Sequence, residues 1–143
     1  MFQIIVVIVV AVVAIAVGVV ASKQRPAAPA APVHHEVPTQ LDRDDFSRPD
    51  APWLVAVFTS ATCETCKKVL DAAALLDSDY VAVTNVEVSA DAALHERYDV
   101  TAVPIVVMAD RLGVVRGSFL GPPSAADLWA KLAEIREDQP DVS

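Results

Sequence analysis

The chain contains an apolar run, Trp53-Leu-Val-Ala-Val-Phe58, that leads a few residues later into Cys63-Glu-Thr-Cys66. This stretch predicts a buried strand that runs into a helix, with the cysteine pair at the start of the helix. A helix N-terminus presents free backbone N–H groups and a partial positive charge of about half a unit, and both stabilise a thiolate. We therefore expect Cys63 to be a nucleophile and Cys66, one turn further on, to resolve a mixed disulfide. The helical spacing i, i+3, i+4, i+7 is carried by Cys66, Val69, Leu70 and Ala73.

Two other uses of a cysteine pair fit this sequence less well. A disulfide that encloses two residues removes little entropy from the unfolded chain, so a purely structural bond or a pair of inert thiols is the weaker explanation. A zinc site needs two more ligands, but the chain has no other cysteine, and His34, His35 and His95 follow no Cys/His finger spacing. We therefore predict a redox-active pair and expect neither a metal nor a cofactor.

Length and charge narrow the class of protein further. The chain has 143 residues, enough for one domain and an appendage, and it carries 11 Lys and Arg against 19 Asp and Glu. The net charge of −8 and the lack of a basic stripe argue against nucleic acid as a partner.

The first residues of the chain form a long apolar segment. Ile4 to Ala21 contains no charged or hydrogen-bonding side chain, and with Phe2 included the segment would span about 30 Å as a helix, the thickness of a bilayer core. We predict a transmembrane anchor at residues 1–22, with residues 2–21 in contact with the membrane. A signal peptide cleaved before Ser22 is the alternative, but no Lys or Arg precedes the apolar run.

Positive charge after the apolar run predicts its orientation. Lys23 and Arg25 follow the segment, whereas only the α-amino group precedes it. The positive-inside rule then predicts a single-pass membrane protein with its domain in the cytoplasm, and an exported domain is the alternative. Residues 23–38 are rich in proline and alanine, which predicts a semi-rigid linker.

The remaining sequence predicts one domain at residues 39–137 and a polar tail at residues 138–143. A short strand near Val33 to Thr39 and a weak helical turn at Leu41–Phe46 come first. Predicted strands follow at Trp53–Thr59, Val81–Val88, Ile105–Ala109 and Val114–Phe119. Predicted helices cover Cys63–Leu76, Ser89–Tyr98 and a last segment that begins with a capping box at Ser124 and Asp127. We expect His95 to be solvated, and Trp53 and Trp129 to lie in the core.

This order of elements resembles the thioredoxin-like family over roughly residues 33–137. The segment Phe58–Lys67 resembles the family's junction between a strand and the redox helix, and Tyr98-Asp-Val-Thr-Ala-Val-Pro104 resembles the segment that ends in its cis-proline. Gly113 in the predicted hairpin and Gly121 ahead of the last helix add to the resemblance. The resemblance implies an α/β thioredoxin-like fold, a mixed sheet flanked by helices. It also implies that Pro104 is cis and faces the cysteines, with the Val103 backbone offered to an extended substrate.

Three positions depart from the family pattern. Thr62 stands where thioredoxins have Trp, Glu64-Thr65 where they have Gly-Pro, and Val57 where they carry a buried acid. Glu64 places negative charge beside Cys63 and opposes thiolate formation, and Lys67 and Lys68 offset this in part. We therefore expect Thr62, Glu64, Thr65 and Lys67 to tune the reduction potential away from that of thioredoxin.

The resulting prediction is a membrane-anchored thiol–disulfide oxidoreductase that works through Cys63 and Cys66. Its expected partners are protein or small-molecule disulfides and an unidentified electron donor. The alternative is a thioredoxin-fold module for redox sensing or binding, without efficient turnover.

Overall fold

The structure is a computed structural model, and it describes residues 37–139 together with Met1 and Gln3. The predicted anchor, nearly all of the predicted linker, His34 and His35 lie outside the described residues. Within the described part of the chain, no helix is long and apolar enough to cross a membrane. All the elements below belong to one compact unit.

The described residues fold into a four-stranded mixed sheet with helices beside it. The strands are β1 Trp53–Thr59, β2 Val81–Glu87, β3 Ile105–Ala109 and β4 Val115–Leu120. The helices are α1 Glu64–Ala74, α2 Ala92–Arg97 and α3 Ala125–Glu137, preceded by a 3-10 turn at Arg43–Asp45. The strand order is β2-β1-β3-β4; β2 is parallel to β1, and β3 and β4 form an antiparallel hairpin. Every strand and helix predicted from Trp53 onward is therefore present, with boundaries that differ by a few residues.

The sequence predicted a strand near Val33 to Thr39. The prediction was wrong for the part that the structure describes, from Val37 onward, which is not a strand. Thr39 and Gln40 form only an isolated antiparallel bridge to the start of the hairpin. The contact consists of Leu41 N–H to Gly113 O at 2.8 Å and Val115 N–H to Thr39 O at 3.0 Å. Gly113 is needed here because its φ is +77° and a Cβ would overlap the Leu41 carbonyl. Pro38 has no N–H to extend this pairing.

β1 is buried along its whole length because both faces of the sheet are covered. All seven of its residues are buried, and alternate side chains enter two separate cores. Leu54, Ala56 and Phe58 pack on the face that also holds Leu41, Phe46 and Val100. Trp53, Val55 and Val57 pack on the face covered by the apolar stripes of α1 and α3. The uninterrupted apolar run thus forms the central strand.

The caps explain where the helices begin. Cys63 is the N-cap of α1, so the redox helix starts where the sequence predicted. Ser124 and Asp127 form the predicted capping box of α3, with both reciprocal bonds present. α2 starts later than predicted, with Asp91 as its N-cap, since the carboxylate of Glu87 holds the N–H groups of Ser89 and Ala90.

Two predicted burial states were wrong. His95 is buried, not solvated: its Nε2 lies 2.9 Å from the Val86 carbonyl, and its ring meets the edge of Phe58 at 5.3 Å between centroids. Trp129 is half exposed on α3, whereas Trp53 lies in the core as predicted. The helix that contains His95 has only six residues, and the stripe of α3 that contains Trp129 mixes apolar and polar residues. In both helices the periodicity is too weak to predict which face is buried.

Arg43 is buried among backbone carbonyls, which the sequence did not indicate. Its guanidinium donates to the carbonyls of Ala51 and Asp110 at 3.0 Å each and to that of Arg48 at 3.3 Å. These bonds tie the segment before β1 to the end of β3.

Candidate redox site

The site is built where β1 turns into α1. The N–H of Cys63 donates to the Ser60 carbonyl at 3.1 Å, which closes a four-residue turn between the strand and the helix. Cys63 then has extended backbone angles and caps α1, and its Sγ accepts the N–H of Cys66 at 3.2 Å. The two cysteines are joined in a disulfide, with 5.3 Å between their Cα atoms. The chain therefore places one sulfur directly at the N-terminus of a helix.

The two cysteines differ in exposure. Cys63 is partly exposed, whereas Cys66 retains only 2% of its accessible surface and packs within the protein. The predicted modulating residues Thr62, Glu64, Thr65 and Lys67 are all exposed around Cys63. Among them, Thr65 contacts the cysteine, with its Oγ1 3.4 Å from Sγ of Cys63. An incoming thiol or disulfide can therefore reach Cys63 far more readily than Cys66.

A surface depression of about 660 Å³ opens beside Cys63. The wall formed by α1 carries two acidic and two basic side chains. The depression therefore contains charges of both signs and favours neither anionic nor cationic ligands. The lining residues are Ala61, Thr62, Cys63, Glu64, Lys67, Lys68 and Asp71.

The Val103–Pro104 peptide bond is cis, as the resemblance predicted. In the sheet register Phe58 lies opposite Ile105, so the Pro104 loop and the cysteine turn leave the sheet at the same end. The Pro104 carbonyl accepts the N–H of Gly121 at 3.0 Å. This bond holds the Pro104 loop against the start of the segment that connects β4 to α3. The substrate-binding roles of Val103 and Pro104 stay predictions.

The position under the site is apolar. Val57, which stands where thioredoxins carry an acid, is fully buried in the core beneath α1. No side chain at this position can take up or release a proton while Cys66 reacts.

Glu87 is a site residue that the sequence analysis missed. Its carboxylate accepts the N–H of Ala61 at 2.9 Å, two residues before Cys63, and those of Ser89 and Ala90 at 2.9 and 3.1 Å. Desolvation acts to raise the pKa of Glu87, but these backbone hydrogen bonds outweigh it and hold the pKa below its ordinary value. The only signal in the sequence is an acid at the end of the strand that neighbours the one leading to the cysteines.

Comparison with known proteins places the fold. No protein-family model and no curated protein matches the sequence. Among solved structures, a point mutant of thioredoxin from Halobacterium salinarum is 25% identical, covers 71% of this chain and 86% of its own, and has a TM-score of 0.54. The germline-specific thioredoxin Deadhead of Drosophila melanogaster is 25% identical over 60% of this chain and 83% of its own, with a TM-score of 0.53. Mitochondrial thioredoxin 3 of Saccharomyces cerevisiae, in its oxidised form, is 20% identical over 60% and 81%, with a TM-score of 0.51.

The chain has a thioredoxin-like fold, with a pair of cysteines at a helix start. This confirms the resemblance seen in the sequence. On that fold, this chain carries the cysteine motif Cys-Glu-Thr-Cys and a valine beneath the site.

Proposed function

We propose that the chain exchanges disulfides with protein substrates, with Cys63 as the nucleophile and Cys66 as the resolving thiol. The observation that carries the proposal is the partly exposed residue Cys63, whose Sγ caps α1 and is bonded to a buried Cys66. A sulfur in that position accepts a hydrogen bond from the Cys66 N–H and lies at the positive end of the helix dipole, and both interactions stabilise the thiolate.

The reaction consists of two sulfur displacements. The Cys63 thiolate attacks a substrate disulfide, forms a mixed disulfide and releases one substrate sulfur as a thiolate. The Cys66 thiolate then attacks Sγ of Cys63, closes the Cys63–Cys66 disulfide and releases the second substrate thiolate. Two electrons pass from the protein to the substrate. A thiol or dithiol donor must reduce the protein again.

The N-terminal segment adds a location to this proposal. We infer that residues 2–21 hold the chain in a membrane and that residues 23–38 act as a spacer. The support is the uninterrupted apolar length and the proline-rich sequence after it. With the domain in the cytoplasm the pair works as a reductase, because that compartment keeps thiols reduced. With an exported domain, the same pair serves the reduction or oxidation of exported proteins.

Reduction of insulin disulfides with a supplied dithiol tests the catalytic proposal. We expect the full chain to accelerate the reaction, and Cys63→Ser to abolish the acceleration. Glu96→Gln, which changes an exposed acid on α2, serves as a matched control and should retain full activity. An unaltered chain that gives no acceleration over the dithiol alone would contradict the proposal.

A redox-sensing or binding module is the second candidate, and Val57 is the observation that favours it. Resolution by Cys66 is slower if no group beneath the site accepts its proton, so turnover could be poor while the disulfide still forms. A sensor would show partner binding that differs between the oxidised and reduced protein and no insulin reduction.

A further inference from the structure

Glu87 and Thr59 are paired residues at the ends of two parallel strands. They lie opposite each other as the last residues of β2 and β1, and Val88 N–H donates to the Thr59 carbonyl at 2.9 Å. Both strands end here, and the chain leaves the sheet after each of them. β1 enters the turn to Cys63, and β2 enters the loop to α2.

The carboxylate of Glu87 joins these two departing loops. Oε1 accepts the N–H of Ala61 at 2.9 Å, and Oε2 accepts the N–H groups of Ser89 and Ala90 at 2.9 and 3.1 Å. Ala61 is the second residue of the turn that the Cys63 N–H closes onto the Ser60 carbonyl. The Glu87 side chain thereby links two loops. One is the turn that positions Cys63, and the other is the loop that follows β2.

We propose that Glu87 is a positioning residue for Cys63: by holding the Ala61 N–H, it fixes the turn that sets the Cys63 sulfur at the N-terminus of α1. The role rests on the proposed function, since it concerns the reactivity of the same thiol. Glu87 acts through the backbone of Ala61.

Three N–H donors converge on Glu87, and this number favours a carboxylate. A carboxylate has two acceptor oxygens and can satisfy all three donors. A glutamine side chain has one acceptor oxygen, and its NH₂ group would face an N–H, so at least one of the bonds would be lost. An aspartate keeps the charge but is one methylene shorter and cannot span both loops. The depressed pKa of Glu87 agrees with an anionic acceptor at neutral pH.

The sign of the effect on Cys63 separates positioning from simple charge. If Glu87 positions the turn, its loss lets the Cys63 sulfur leave the helix N-terminus, and the thiolate forms at higher pH. If Glu87 acts only as a nearby negative charge, its removal makes the thiolate form at lower pH. If it only stabilises the fold, the thiolate in the folded protein does not change.

The experiment is the pH profile of iodoacetamide alkylation of the reduced full chain, with the modified peptide identified by mass spectrometry. For Glu87→Gln we expect a shift of about half a pH unit upward, which slows alkylation below the midpoint about threefold. Glu87→Asp, which retains the charge, should shift the profile in the same direction. Glu96→Gln removes an equal charge from an exposed position on α2 and should leave the profile in place. Thermal unfolding shows which variants are folded, and only folded variants are compared. If Glu87→Gln does not fold, the shift measured for Glu87→Asp decides the test.

A double variant tests the route through Ala61. Ala61→Pro removes the donor at the second position of the turn, where proline is well tolerated. In that background Glu87→Gln should add no further shift in the profile. An unshifted or downward profile for Glu87→Gln and Glu87→Asp, or an independent effect in the Ala61→Pro background, would overturn the proposal. Alkylation needs no substrate, so a chain that fails to reduce insulin would refute the proposed function and leave this result standing.

Discussion

The backbone N–H of Cys66 lies 3.2 Å from Sγ of Cys63 and donates a hydrogen bond to it. The first turn of α1 therefore serves the sulfur that precedes it, while the sulfur of Cys66 itself is buried.

Cys63 should be the thiol that reacts first. Limited alkylation of the reduced protein, followed by peptide mapping, is expected to modify Cys63 before Cys66, because only Cys63 is accessible and its Sγ accepts an N–H of the helix. Cys66→Ser should trap mixed disulfides with partners, and Cys63→Ser should not. Preferential labelling of Cys66 would reverse the assignment.

Arg43 should matter for stability far more than an exposed arginine. Arg43→Met leaves three backbone carbonyls without their charged donor, and we expect it to lower the free energy of unfolding by at least about 2 kcal/mol. Arg97→Met, the same change at an exposed residue paired with Asp42 and Asp45, should cost less than about 1 kcal/mol. Denaturant unfolding measures both, and equal losses would contradict the structural role given to Arg43.

The capping box of α3 should make stability depend on pH. Hydrogen bonds from the side chain and the backbone of Ser124 hold the pKa of Asp127 below its ordinary value. A depressed pKa means that the stabilisation is complete above the unfolded-state pKa and is lost as the pH falls through the folded-state pKa. The stability difference between the unaltered chain and Asp127→Asn should therefore shrink from neutral to strongly acidic pH.

Ser124→Ala tests the other half of the same capping box. It should cost about 1 kcal/mol at neutral pH, because it removes the cap. Thermal unfolding over a pH series is the measurement. A pH-independent gap between the unaltered chain and Asp127→Asn would refute the linkage.

The N-terminal segment should keep the chain in the membrane fraction. We expect extraction by detergent but not by high salt or carbonate, because the apolar length rather than charge holds the segment there. Recovery of a soluble product that begins at Ser22 or Lys23 would show that the segment is a cleaved signal peptide.

The orientation needs a separate measurement. A membrane-impermeant maleimide applied to intact, reduced cells should leave Cys63 unlabelled if the domain is cytoplasmic. Labelling without permeabilisation would establish the exported alternative.

The sequence predicts the fold wherever a local pattern and a physical rule coincide. The apolar run of β1, the helix start at Cys63 and the Ser124 cap are each contained in fewer than about fifteen consecutive residues, and the structure has all three. The residues that the sequence missed act over long separations. Arg43 bonds the carbonyl of Asp110, and Glu87 bonds the N–H of Ala61, and no periodicity links such partners. Trp129 shows the opposite error, since an aromatic residue in an amphipathic helix need not face inward.

β1 lies in the middle of the sheet, between β2 and β3. The strand that leads to the cysteines is therefore enclosed only after Ile105–Ala109 has joined it, and the ribosome synthesises that segment well after Cys63 and Cys66. Until then α1 lacks the completed sheet against which it packs, and the turn that donates an N–H to Sγ of Cys63 is held by local bonds alone. We therefore expect Cys63 to react as an ordinary thiol during translation and to gain its proposed reactivity only when β3 has joined the sheet.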